Sequence, residues 1–144
     1  MSENTNTNEQ AITVANLMNQ NAGAILCSVT PEPGNKEQAK IVYNAMNNPT
    51  YKVSDFINKK ILVENVLIEV NDLLDDETGE IERVPRTVLI SPDGTSYTAT
   101  SKGIFNSIKN AYVSLGQAPW VGGIEFEVKQ VAVGRGQMLT LAMV

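Results

Sequence analysis

The sequence has no histidine among its 144 residues and only one cysteine, Cys27. Histidine is the commonest general base and metal ligand, and one thiol cannot form a thiolate zinc site. The composition therefore favours a protein that is not an enzyme and that binds no cofactor or metal, although catalysis by carboxylates alone stays chemically open. A single thiol also gives no disulfide framework within the chain, which favours the cytoplasm as its compartment.

Long apolar runs are absent as well. No run approaches the roughly 20 residues that a helix needs to cross a bilayer. The first ten residues, MSENTNTNEQ, are polar and lack the features of a secretion signal. We therefore expect a cytoplasmic protein without membrane contact. With 42% hydrophobic residues, the chain is long enough to fold as one domain around a single core.

Acidic and basic residues are unevenly distributed along the chain. The net charge is −5, and residues 64–82 hold eight acidic residues and no basic one. Residues 83–144 hold six basic and three acidic residues. A positive surface is therefore compatible with the negative total. A calcium site is one interpretation of the acidic segment, but its spacing lacks the alternation and the glycine of an EF-hand, which favours a solvated loop.

The clearest structural pattern lies in the second half of the chain. Residues 86–91 are rich in β-branched side chains, residues 92–94 are the turn triplet Pro-Asp-Gly, and residues 96–100 alternate, which together predict a hairpin. From Ile104 onward the apolar residues recur at helical spacing. Thr100 or Ser101 can cap this helix and Gly116 can end it; both residue types are typical of those positions.

The flanking segments supply more strands. Residues 60–71 predict one long strand, and the acidic residues 72–83 predict the loop that follows it. Residues 124–133 and 137–144 predict a closing hairpin around the turn at residues 134–136. Three meandering strands, one helix and a closing hairpin is the element order of an OB-fold. The sequence thus predicts an all-β fold with one main helix, a five-stranded OB-fold barrel with N-terminal additions.

The N-terminal part is more polar and its elements are less well defined. Residues 1–23 are rich in Asn, Thr, Gln and Ser and predict a mobile arm, which leaves residues 24–144 as the OB-fold domain. Residues 24–30 predict a short extra strand. Residues 36–46 match both a helical stripe and a strand alternation, and residues 51–58 predict a short connecting turn or helix.

Three segments carry a resemblance to a known family. They are KILVENVLIEV, PRTVLISPDGTSYTATSKGIFNSIKNAYVSLG and IEFEVKQVAVGRGQMLTLAMV. Here the chain resembles small OB-fold single-stranded-DNA-binding proteins of phages and of conjugative plasmids of Gram-positive bacteria. The resemblance implies an extended conformation for KIVYNAMNNP, which favours a strand over the helical period of residues 40–46.

Nucleic-acid binding without sequence preference needs cations spaced along a groove and flat side chains on which bases stack. On an OB-fold this groove crosses the second and third strands and is flanked by two loops. The candidate binding residues are Arg86, Tyr97, Lys102, Lys129, Arg135, Trp120, Tyr51 and Tyr43. These assignments have alternatives: Arg86 can pair with the acidic loop of residues 72–83, Arg135 can be a solvated turn residue, Trp120 can be a packing lid, and Tyr97 can belong to the core.

These expectations combine into one functional hypothesis. The protein coats single-stranded DNA during plasmid conjugation or phage-like DNA processing, with weak duplex binding in addition, because phosphate contacts discriminate poorly between strands. One OB domain covers about 4 to 16 nucleotides, so we expect a homo-oligomer or an array along DNA, linked by the N-terminal arm. The first alternative is an OB-fold protein-interaction module of a DNA-transfer complex that touches no DNA. The second is a small enzyme or ligand binder that uses the acidic segment.

Overall fold

The computed structural model describes residues 12–144, so the first eleven residues of the predicted arm lie outside it. The strands are β1 (Ile25–Cys27), β2 (Tyr51–Lys52), β3 (Lys60–Val63), β4 (Asn65–Leu74), β5 (Ile81–Ile90), β6 (Ser96–Ala99), β7 (Ile124–Val133) and β8 (Gly136–Met143). The α-helices are α1 (Lys36–Asn47) and α2 (Lys102–Leu115), and the 3-10 helices are Leu17–Asn19 and Val53–Phe56. Within residues 12–144, no helix is long and apolar enough to cross a membrane.

The strands form two sheets that share one core. One sheet has the order β1-β4-β5-β6-β2 and the other the order β3-β7-β8. Neighbouring strands are antiparallel, apart from the parallel pair β2 and β6. The inner faces of both sheets pack against α2. This OB-fold-like architecture, all-β with one main helix, confirms the predicted fold class.

Helix α2 begins and ends where the sequence predicts. The Ser101 side chain accepts hydrogen bonds from the backbone of Gly103 and Ile104, at 3.1 and 3.4 Å, so Ser101 rather than Thr100 is the N-cap. Gly116 ends the helix at φ +90°, a conformation that glycine adopts without steric cost. Most of the predicted apolar stripe is buried in the core, namely Ile104, Phe105, Ile108 and Ala111, whereas Leu115 in its last turn is 39% exposed.

The prediction of one strand over residues 60–71 is wrong, because Glu64 separates β3 from β4. Its backbone N–H donates to Ile90 at 2.8 Å, and its carbonyl accepts from Trp120 at 2.8 Å. Its carboxylate accepts from the backbone of Gly122 at 3.0 Å. These bonds join Glu64 to the end of β5 and to the loop before β7. The chain therefore passes from one sheet to the other at this residue.

The predicted acidic loop over residues 72–83 is also wrong in extent. β4 continues to Leu74 and β5 starts at Ile81, so only residues 75–80 form the turn. Asp72 lies opposite Arg83 in the ladder. The Arg83 guanidinium donates to both carboxylate oxygens of Asp72, at 3.0 and 3.3 Å, and this pair lowers the pKa of Asp72. An opposite-charge pair directly across two strands stabilises the ladder, so the hairpin extends into the acidic segment.

The strand expected over residues 40–46 is wrong, since α1 covers them. Asn35 caps this helix by accepting from the backbone of Gln38 at 3.1 Å. Four apolar residues on one face of the helix pack on the outer face of the five-stranded sheet: Ile41, Val42, Ala45 and Met46. They cover Leu67, Val88 and Ile90, which are fully buried. The helical period prevails because it places an apolar stripe over an apolar patch of sheet.

Three segments before β3 show how the N-terminal additions attach to the rest of the fold. β1 confirms the predicted extra strand, and the 3-10 helix Val53–Phe56 confirms the predicted short connection. Val14 and Leu17 belong to the main core cluster. Residues 12–18 therefore pack partly against the core, which differs from the mobile arm expected over residues 1–23.

Shortening a side chain in this N-terminal segment tests whether it belongs to the core. We expect Leu17→Ala to lower the free energy of unfolding by about 2–5 kcal/mol, because it leaves a cavity in place of a fully buried side chain. Urea unfolding followed by circular dichroism measures this. Asn19→Ala, an exposed position in the same 3-10 helix, is the control and should change stability little. Equal effects of the two variants would show that the segment is not packed.

A substitution at Gly103 tests the contact between α2 and β8. A Cβ there would collide with the backbone carbonyl of Leu139 and with the Met138 side chain. We expect Gly103→Ala to lower the free energy of unfolding by about 1–3 kcal/mol through overpacking, although alanine is the better helix former. Asn106→Ala, exposed on the same helix, should not destabilise. Thermal melts of both variants compare them, and an unchanged melting temperature in Gly103→Ala would contradict the packing.

Candidate nucleic-acid interface

A surface depression of about 490 Å³ opens beside β6. At this edge β6 pairs with β2, whereas β8 belongs to the other sheet. It is lined by Lys52, Ser54, Arg86, Thr98, Ala99, Thr100, Ser101 and Leu139. We call it the groove. Strands β5 and β6 supply its floor, and Leu139 of β8 lies at its far side. This is the surface on which the OB-fold element order places a nucleic-acid site.

Arg86 lies in the groove and is held from two sides. Its Nη2 donates to the carbonyl of Met46 at the end of α1, at 2.9 Å. Its Nη1 lies 3.6 Å from Oε1 of Glu69 on the neighbouring strand. The sequence offered a pair with the acidic loop of residues 72–83 as the alternative for Arg86, but its partner Glu69 lies outside that loop, on β4. Arg86 therefore brings a positioned guanidinium to the groove, with part of its charge already balanced.

Aromatic rings flank the groove at the β2 edge. Tyr51 of β2 stacks on Tyr97 of β6, with ring centroids 5.7 Å apart and planes at 28°. Phe56 contacts both rings edge-on, at 5.2 and 5.1 Å. Tyr97 is buried, whereas Tyr51 is 47% exposed. Tyr51 therefore offers a ring face to solvent while Tyr97 and Phe56 support it from within.

The other predicted cations, Lys102, Lys129 and Arg135, do not line the groove and differ in their partners. Lys102, at the start of α2, pairs with Glu82 at 3.0 Å, and Lys129 on β7 pairs with Glu127 at 3.1 Å. Arg135 occupies the two-residue turn between β7 and β8, where Gly134 has φ +55°. Within residues 12–144, Arg135 has no carboxylate partner. It is the predicted site cation most available to a phosphate.

Two predicted residues lie apart from the groove. Trp120 is 7% exposed, its Nε1 donates to the carbonyl of Gly116 at 3.0 Å, and its ring contacts Tyr112 and Phe126. This burial favours the packing role over the stacking role. Tyr43 is exposed on α1 but does not line the groove. Their assignment to binding stays a prediction.

Sequence reasoning missed three residues beside the groove: Lys52, Phe56 and Lys59. Lys52 lines the groove, and the Lys59 Nζ lies 5.9 Å from the centroid of Phe56. Lys52 and Phe56 fall in residues 51–58, which the sequence pattern indicated only as a short connection, and Lys59 lies between that connection and the strand predicted from residue 60. The signal was present in YKVSDFINKK, where two aromatic residues and three lysines occur within ten positions.

The comparison with protein families decides what kind of protein carries this surface. Residues 24–143 match the family model described as Phage Single-stranded DNA-binding protein. The chain belongs to this family. No curated protein and no solved structure matches it. The family match confirms the resemblance to phage single-stranded-DNA-binding proteins that the sequence segments indicated.

For a phage single-stranded-DNA-binding protein, the placement of the acidic charge is as informative as that of the basic charge. The turn between β4 and β5 carries Asp75, Asp76, Glu77 and Glu80. It continues a ten-residue hairpin arm rather than lining the groove. These four acids are thus carried on the hairpin turn and not in the groove, so a protein of net charge −5 keeps a groove that contains Lys52 and Arg86.

The fluorescence of Trp120 tests its place in the core. Because it is the only tryptophan and is buried, we expect its emission to resist quenching by acrylamide in the folded protein and to lose that resistance in urea. Added single-stranded oligonucleotide should quench it little, since the ring has almost no free face for a base. Strong quenching on DNA binding would instead place Trp120 in the binding site.

Proposed function

We propose that this protein binds single-stranded DNA without sequence preference and coats it during phage-like or plasmid-transfer DNA processing. One observation carries the proposal: in a chain of this family, the groove presents Lys52 and Arg86 beside the exposed ring of Tyr51. Cations near phosphates and an aromatic face for a base are the two components that such binding uses.

Sequence independence follows from the chemistry of the groove. Lysine and arginine side chains can contact phosphates, which are identical at every nucleotide. The exposed Tyr51 ring can stack on any base, because every base has a π-face. Each stacked base contributes about 1–3 kcal/mol. Such a surface holds a strand by its backbone and its stacking rather than by reading base edges.

The ion pairs of Lys102 and Lys129 are suited to exchange with a phosphate. The Lys102–Glu82 pair is largely solvent-exposed, and the Lys129–Glu127 pair is partly exposed. Exposed pairs of this kind contribute only about 0–1 kcal/mol, so a DNA phosphate can replace the carboxylate at little cost. Lys102 and Lys129 thus join Arg86 and Arg135 in contacting phosphates. Binding by these cations is expected to weaken as the salt concentration rises.

The size of the domain bears on its assembly. A single OB domain covers about 4 to 16 nucleotides, so coating a long strand requires many copies side by side. We propose an array along DNA in which the N-terminal residues link neighbouring copies. Weak binding to duplex DNA accompanies this, since the same cations meet the duplex backbone.

A charge-neutralising variant tests the proposed binding surface. We expect the double variant Lys129→Ala, Arg135→Ala to bind single-stranded oligonucleotide more weakly than the wild type. The slope of log affinity against log salt should be smaller by about 0.7 for each phosphate that the variant no longer neutralises. Fluorescence anisotropy with a labelled oligonucleotide, measured over a salt series, provides both values.

The matched control is Lys36→Ala, Lys109→Ala, which removes the same charge from exposed positions on α1 and α2. It should bind like the wild type. An affinity that does not respond to salt in the wild type would contradict the proposal. Equal reductions of affinity in the two double variants would also contradict it. Such a result would show that affinity depends on the net charge of the protein and not on where the cations lie.

The second candidate function is a protein-interaction module of a DNA-transfer complex. It is favoured by the arm formed by β4 and β5, where Leu73, Leu74 and Ile81 are 52, 63 and 67% exposed. Apolar side chains at such a tip are a feature of protein-binding surfaces. The same anisotropy assay separates the candidates, because this function requires that the wild type fail to bind oligonucleotide.

A further inference from the structure

We infer that bound DNA leaves the groove over the edge strand β2 and places its next nucleotide on a platform formed by Tyr51, Phe56 and Lys59. We call these three residues the edge platform. Its ligand is one nucleotide of the strand, with the base on the Tyr51 ring and a phosphate at Lys59. The inference rests on the proposed single-stranded DNA binding. Its experiment distinguishes an error in the edge platform from an error in that proposed binding.

Helix α1 blocks the path of a bound strand away from β2, across the face of the five-stranded sheet. It lies on the outer face of β4 and β5, where Leu67, Val88 and Ile90 are fully buried beneath it. Arg86 bonds to the carbonyl of Met46 at the end of this helix, so the helix end borders the groove. A strand that binds at Arg86 therefore cannot continue across the face of the five-stranded sheet. The open direction is across β6 and over β2.

The surface is continuous in that direction. Next to the groove lies a second depression of about 380 Å³, lined by Pro49, Thr50, Tyr51, Lys52, Asp55 and Thr98. Lys52 and Thr98 line both depressions. One chain of nucleotides can follow the two without leaving the protein surface. Lys52 lies at the junction, where it can contact the phosphate between them.

The platform is rigid before DNA arrives. The Tyr51 ring rests on the buried Tyr97 ring and on Phe56. β2 pairs with β6 at Tyr51 opposite Tyr97 and Lys52 opposite Thr98, which fixes the backbone beneath the ring. Little side-chain freedom is left to lose when a base stacks on Tyr51, and pre-organised contacts of this kind favour binding.

Lys59 is held in place by an unusual backbone conformation. Asn58 has φ +67°, the only positive φ at a non-glycine residue in residues 12–144. Its N–H donates to Val128 at 2.7 Å, while Lys59 donates to Phe56 at 2.8 Å and accepts from Val128 at 3.0 Å. Strained backbone that the surroundings hold in place is concentrated at functional sites. Here it fixes the backbone from which the Lys59 side chain starts, and the Lys59 Nζ lies 5.9 Å from the Phe56 ring centroid.

The charged side chains next to the edge platform determine where the contact with the DNA strand ends. Within residues 12–144, Lys59 has no carboxylate partner, unlike Lys102 and Lys129. Beyond Tyr97 lies a further depression that contains Lys60 but also Asp93 and Glu125. Two carboxylates against one lysine repel a phosphate there. The edge platform is thus the last favourable contact on this side.

Replacing the Tyr51 ring tests the base contact. We expect Tyr51→Ala to lower the affinity for a single-stranded oligonucleotide by about 5- to 150-fold, the equivalent of one stacked base, and Tyr51→Phe to retain wild-type affinity. An oligonucleotide of abasic sugar-phosphate units should bind wild type and Tyr51→Ala equally. A reduction of affinity in Tyr51→Ala that is the same for both ligands would overturn the stacking contact.

Replacing Lys59 tests the phosphate contact without disturbing the rings. We expect Lys59→Gln to reduce the salt slope by about 0.7, the value for one phosphate of a single strand. Lys109→Gln, exposed on α2, is the matched control and should leave the slope unchanged. Since Lys59 is an exposed side chain, this measurement decides the inference even if Tyr51→Ala folds poorly.

The outcomes distinguish the edge platform from the proposed function. The platform is wrong and the proposed function stands if three results are found together. Wild-type binding depends on salt, the double variant Lys129→Ala, Arg135→Ala binds more weakly than the wild type, and Lys59→Gln has the same salt slope as Lys109→Gln. If the wild type does not bind oligonucleotide, the proposed function itself is wrong. A reduced slope in Lys59→Gln alone supports the platform.

Discussion

The hydrogen bonding of Glu64 is the constraint on which the rest of the fold depends. Its main chain joins the end of β5 to the loop that carries Trp120, and its carboxylate binds the backbone of Gly122. One residue thus ties together both sheets and the segment that follows α2. With these bonds made, the chain changes sheets without leaving backbone groups unpaired, and α2 is retained over the core. The buried Trp120 follows from the same arrangement, because its loop is held inward.

This closed interior limits where DNA can bind under the proposed function. The inner faces of both sheets are occupied by the core, and α1 covers the middle of the outer face of the larger sheet. The groove between the end of α1 and the edge strand β2 stays open. It is lined by Lys52 and Arg86, and the exposed Tyr51 lies beside it. Helix α1 thus covers part of an OB-fold-like sheet face and leaves this groove uncovered.

The sequence predicted those parts in which local signals agree. The hairpin of β5 and β6, the N-cap Ser101 and the closing hairpin follow from alternation, turn residues and capping, all of which act within a few residues. Glu64 could not be predicted, since apolar residues continue on both sides of it and its partners are distant in the chain. The sequence named Arg86 and Tyr51 among several candidate binding residues, but the backbone position of Lys59 depends on a φ angle at Asn58 that no periodicity reveals.

The distribution of partners among the cations determines how an acidic protein binds a polyanion. A phosphate that displaces Glu82 from Lys102, or Glu127 from Lys129, exchanges one ion pair for another and gains little. It also leaves a carboxylate near the DNA backbone. Within residues 12–144, Lys52, Lys59 and Arg135 have no such partner. A phosphate gains the full interaction there. Under the proposed function, we therefore expect Lys52, Lys59 and Arg135 to contribute more electrostatic energy to binding than the paired Lys102 and Lys129.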